Sequence, residues 1–171
     1  MGVVSGMNED SDTTPVNGDG DAEFLAMQEK VRGSNIDETT LLATDYLNHF
    51  NEIVMLLEMV ADMPDMLEEV KEWKPKSYKD HFRDSTIAEK DLAIEAYDYV
   101  PDIYRQPFEQ TIEQINMMIA STVERLEKNF ADGSIEVLRA NAKTLSELIQ
   151  RLMDMASAII HGSSNTMEQS E

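Results

Sequence analysis

Seven apolar residues, Leu138, Ala142, Leu145, Ile149, Leu152, Ala156 and Ile159, recur at alternating intervals of four and three. At 3.6 residues per turn that spacing lays a single apolar stripe along one side of a helix. A strand, whose side chains alternate with period two, cannot gather it on one face. Lys143, Glu147, Gln150, Arg151 and Asp154 fill the opposite side, so the segment 134–161 is predicted as one long amphipathic helix. A second stripe, Phe108, Ile112, Ile115, Ile119, Val123, Leu126 and Phe130, predicts another over 106–130. Only Ala131-Asp132-Gly133 separates the two, with Ser134 as a fresh cap. So short a link folds them into an antiparallel hairpin.

A third stripe, Ala43, Leu47, Phe50, Val54, Leu57 and Ala61, widened by Leu42, Tyr46, Ile53, Leu56 and Val60, predicts a helix over 37–62. The fold class expected is therefore all-α, a bundle of three long helices (37–62, 106–130 and 134–161) with short accessory helices. Asp21 to Val31 suits a first short helix ended by Gly33. Pro64 to Trp73 suits another, with proline at its start, and a single turn is expected after Ser77. Thr86 and Glu89 form a Thr-x-x-Glu capping box opening a helix toward Tyr99. Pro101 marks a turn or kink. Residues 1–20 and 162–171, poor in large apolar residues, are expected to be disordered tails around one domain over 21–161.

Charge and composition narrow the function. Fourteen Lys and Arg stand against 34 Asp and Glu, a net charge of −20. A phosphate backbone or an anionic membrane surface would be repelled, so neither direct nucleic-acid binding nor membrane binding is expected. The first 20 residues hold no Lys or Arg and no apolar stretch, which does not read as a signal peptide. No apolar run is long enough to span a bilayer. There is no cysteine, so disulfides, thiolate catalysis and cysteine-held metals drop out. A cytoplasmic location is expected.

No motif for catalysis stands out, and the chain is not read as an enzyme. Neither a metal nor a cofactor is expected. Asp45 and His49 share a helix face at i, i+4, but two ligands do not make a metal site. The run Asn17 to Gln28 echoes a calcium loop, yet Ala22 stands where glycine is required and Gln28 where a bidentate glutamate is required. His49 lies in the middle of its expected helix, as the histidine of a phosphotransfer bundle does. However, Gly33 to Val70 holds nine acids and no Lys or Arg, which leaves a phosphohistidine no local cation.

Two features remain. Lys71, Lys74, Lys76, Lys79 and Arg83 form a basic island, five of the 14 cations. They either pair internally with the cation-free second helix or receive an acidic partner. Met55, Met59, Met63 and Met66 form a run at the end of the second helix, and Met55 and Met59 project from its side roughly opposite Leu47, Val54 and Leu57. Either the segment Pro64 to Trp73 folds back over that side, with Met66, Val70 and Trp73 as the lid, or the side is an open surface that docks a partner helix or a second copy of the chain. Methionine is flexible and polarizable and suits an adaptable docking surface. Acids around it, Glu52, Asp62 and Glu69, would select a partner carrying basic residues. The function expected is a non-catalytic protein–protein interaction module of adaptor, regulator or chaperone type. The alternative is a phosphotransfer or phosphatase component of a signalling relay using His49.

Overall fold

The structure, a computed structural model, describes residues 17–163, with side chains from residue 20 onward. Seven α-helices and no strand occur among the described residues: α1 (Asn17–Val31), α2 (Asn48–Asp62), α3 (Leu67–Glu72), α4 (Tyr78–Arg83), α5 (Lys90–Tyr97), α6 (Asp102–Ala131) and α7 (Ile135–Ile160). The chain is all-α. Most of the tail residues expected to be disordered lie outside the described residues. Asn17–Gly20, however, belong to α1, which begins four residues before the expected Asp21.

Helices α6 and α7 form the antiparallel hairpin that their stripes predict. The link is a Schellman turn: Gly133 takes φ +75°, its N–H donates to the Phe130 carbonyl, and Ser134 N–H donates to the Asn129 carbonyl. Only glycine adopts that left-handed geometry without a Cβ penalty. The same two bonds close α7, from Gly162 to Ile159 and from Ser163 to Ala158. Helix α6 starts at Asp102, one turn earlier than expected, with Pro101 as its cap residue and Pro107 inside it. Pro107 removes one bond near the helix start, while Tyr104 and Arg105 N–H both donate to the Pro101 carbonyl.

The third long helix is not formed. Residues 37–62 divide into an irregular stretch, a 3-10 turn over Thr44–Leu47, and the 15-residue α2. The bundle is thus a hairpin of two long helices with a shorter α2 packed on α7. Local hydrogen bonds and burial explain the difference. The Asp37 carboxylate accepts from the Thr39 and Thr40 amides, and Leu41 then turns the chain at φ +67°. Thr40, Leu41, Leu42 and Ala43 are four consecutive residues, all fully buried. A helix would have rotated one or two of them toward solvent, whereas the irregular backbone buries every one. Its polar groups find partners: Thr40 Oγ1 donates to the Ile160 carbonyl at 2.6 Å, and Ala43 N–H donates to the Tyr78 hydroxyl at 2.9 Å.

The short elements follow local capping. Ser77 Oγ accepts from Asp80 N–H and opens α4. The segment 64–73 divides into a 3-10 turn at Pro64–Met66 and α3. Thr86 and Glu89 do not form the expected capping box. Ser85 Oγ takes the Ile87 N–H instead, and α5 begins only at Lys90, with no side-chain cap.

Candidate functional site

His49 is held in place from several sides. It stacks on Trp73 with ring centroids 4.6 Å apart, and its Nε2–H donates to the Lys74 carbonyl at 2.6 Å. Trp73 Nε1–H returns a bond to the His49 carbonyl at 3.0 Å. Its side chain is 10% exposed, with Nδ1 3.7 Å from Glu52. These contacts tie the 73–74 segment to the start of α2. Asp45, the other residue of the i, i+4 pair, accepts from Asn35 Nδ2. Beside His49 lie His81 and Lys76, in a small hollow that Asp84 and Glu52 also line. Loss of water, then the nearby His49 and Lys76, lowers the His81 pKa, and Asp45 partly opposes them.

The basic island pairs internally, but not with α2. Lys71 meets Glu127 at 3.3 Å and Glu68 at 3.5 Å. Lys76 meets Asp84 at 3.0 Å and Lys79 meets Asp98 at 2.6 Å. Arg83 pairs with Asp80, and Lys74 Nζ donates to the Lys71 carbonyl. The partners thus come from α3, α6, α4 and the loops beside it, and the end of α5.

The methionine side of α2 is open. Met55 is 62% exposed, Met59 41% and Met63 52%. The segment 64–73 does not act as a lid over them. Trp73 turns to His49, and Met66 is half-buried against the core, reaching the surface only where it lines a hollow with Met63. Met55, Val54 and Met153 line a surface hollow of about 460 Å³ between α2 and α7, with Asp154 at its edge. Met63, Phe130 and Ile135 line a second of about 580 Å³, with Asp65 and Glu69 at its edge. Met59 stands one turn from Met55, about 6 Å along α2, and Met63 follows just past the end of the helix.

A groove of about 520 Å³ lies on another part of the molecule, between α6 and the Pro75–Tyr78 segment. Tyr46, Tyr78, Tyr97 and Phe108 form its aromatic part. Tyr78 and Tyr97 are stacked at 4.7 Å. Burial pushes the Tyr46 hydroxyl up to about 12 and raises Tyr78 and Tyr97 as well. The Tyr46 hydroxyl donates to the Lys76 carbonyl, and that of Tyr97 to Glu109. Four separate segments meet here, and no local pattern in the sequence announces it.

No protein-family model matches the chain, and no curated protein or solved structure matches it. The functional reading therefore rests on the surfaces themselves. Among the described residues, no helix is long and apolar enough to cross a membrane.

Proposed function

We propose that this chain is a non-catalytic helical module, of adaptor, regulator or chaperone type, that binds a protein partner through Met55, Met59 and Met63. The observation that carries the reading is the exposure of three large apolar side chains close together, Met55 and Met59 one turn apart on α2 and Met63 just past its end. Leaving such a strip in water forgoes on the order of 1 kcal/mol or more per side chain that burial would return. Methionines can rotate to match a facing helix. Asp154, Asp65 and Glu69 border the strip, and the net charge of −20 disfavours a second copy as the occupant. The partner that fits is a basic amphipathic helix, its apolar side on the methionines and its lysines or arginines over the flanking carboxylates.

A fluorescein-labelled synthetic helix of leucine and lysine, read by anisotropy, tests this. Binding is expected for the amphipathic order and not for a scrambled order of the same composition. The double variant Met55→Glu, Met59→Glu should keep its melting temperature and lose the binding. If it binds like the parent, or if the scrambled helix binds equally well, the methionine strip is not the docking surface.

A further inference from the structure

The aromatic groove shares no lining residue with the methionine strip, and its chemistry is different. Its α6 wall presents hydrogen-bond acceptors. Glu109 and Glu113 stand one turn apart with exposed carboxylates. Asn116 follows, its Oδ1 buried with no hydrogen-bond partner among the described residues. The cation at the opposite wall, Lys76, is held by Asp84 at 3.0 Å. Tyr46, Tyr78 and Phe108 are buried in its floor, so the groove offers an incoming group the partly exposed Tyr97 ring and two carboxylates. A guanidinium suits both: it donates in a planar fork to carboxylates, packs on an aromatic ring, and carries the opposite charge.

We propose that this groove binds an arginine-bearing segment of a protein partner, with the guanidinium on Glu109 and Glu113 and a neighbouring apolar side chain against Ile112 and Met117. Met117 is 64% exposed, and the groove exceeds the volume of one side chain, so an arginine and its neighbour enter together. The occupant comes from another molecule. Residues 1–20 and 162–171 of this chain contain no Lys or Arg. Two copies, each at −20, repel one another, and nucleic acid carries the wrong sign.

The test uses the full chain and a set of labelled hexapeptides, each with one arginine flanked by leucine, phenylalanine or alanine. Binding is read by anisotropy and mapped by methyl NMR. The expected result is a bound member with shifts centred on Ile112 and Met117. Glu109→Gln with Glu113→Gln should weaken it by at least about tenfold. Arginine→lysine in the peptide should weaken it too, and free arginine should not compete. Glu113→Gln alone, at an exposed position without a structural bond, guards against a folding artefact and should weaken binding in the same direction. The proposal is overturned if no member binds at millimolar concentration, if the shifts scatter over the acidic surface, or if free arginine competes as well as the peptide. Shifts centred on Met55 and Met59 overturn it while leaving the methionine strip standing. Loss of the strip through Met55→Glu, Met59→Glu should leave this binding unchanged, so the two readings fail separately.

Discussion

Leu145 and Ile149 lie one turn apart on the apolar side of α7, both essentially without solvent contact. Truncating either to alanine removes packed atoms and leaves a cavity, so each should cost on the order of 2–5 kcal/mol in urea unfolding. Glu147, between them on the exposed side, should change stability by no more than about 0.5 kcal/mol as Glu147→Ala. Equal losses on both sides would mean that α7 is covered all round. His81 supplies the pH-sensitive residue. Its native pKa is lowered, first by loss of water and then by His49 and Lys76, with the Asp84 and Glu52 carboxylates in the same hollow. Below its ordinary value of about 6.5 the unfolded chain takes up a proton that the native state resists. Stability should therefore fall as pH drops through about 6.5, and level off once the native pKa is passed. Unfolding midpoints between about pH 7.5 and 5.5 should show that fall in the parent and a shallower one in His81→Gln. Identical profiles would remove His81 from the account.

The short elements depend on single tertiary bonds, and the stretch 33–47 shows it most clearly. Asp37 has the side chain of a helix start and does accept two amides, yet only one turn follows. Leu41 holds a left-handed φ that costs a leucine about 1–2 kcal/mol, which its complete burial offsets. Thr40 fastens this stretch to the end of α7 through Ile160 and also accepts from Leu42 N–H. Thr40→Val keeps the shape and removes both bonds, leaving buried backbone groups without partners. A loss of about 1–3 kcal/mol is expected, with faster hydrogen exchange at Leu42. An unchanged midpoint would show that Thr40 does not fasten the loop. Helices α6 and α7 behave differently: their ends are set by Pro101, Gly133 and Gly162, residues whose backbone preferences need no distant partner.

At the scale of the whole molecule, charge opposes compactness. The ion pairs are largely solvent-exposed, as at Arg32–Glu29 and Arg139–Glu136, and exposed pairs contribute little. The net charge of −20 repels itself throughout. Raising NaCl from about 10 mM to about 0.3 M shortens the screening length from about 30 Å to below 10 Å. The melting temperature should rise with it. A fall would mean that the attractive pairs outweigh the repulsion. The same field favours basic partners at both proposed surfaces, and its screening should slow their association.

Periodicity and capping act within a turn or two of chain, so the all-α class, the α6–α7 hairpin and its glycine turn were legible in the residues alone. The same periodicity marked Met55 and Met59 as lying off the main stripe of α2. That they stay exposed, with Met63 beside them and Met66 half-buried, was settled by tertiary packing, since coverage depends on where α3 and Trp73 go. The same holds for residues 37–47, whose helical period gave way to the burial of four consecutive side chains. It holds again for the basic island, whose acids come from outside α2, and for the groove, whose Tyr46, Tyr78, Tyr97 and Phe108 are far apart in sequence. Local pattern fixes which side of a helix is apolar. What comes to lie against that side is set by long-range packing, which no single stretch of the chain encodes.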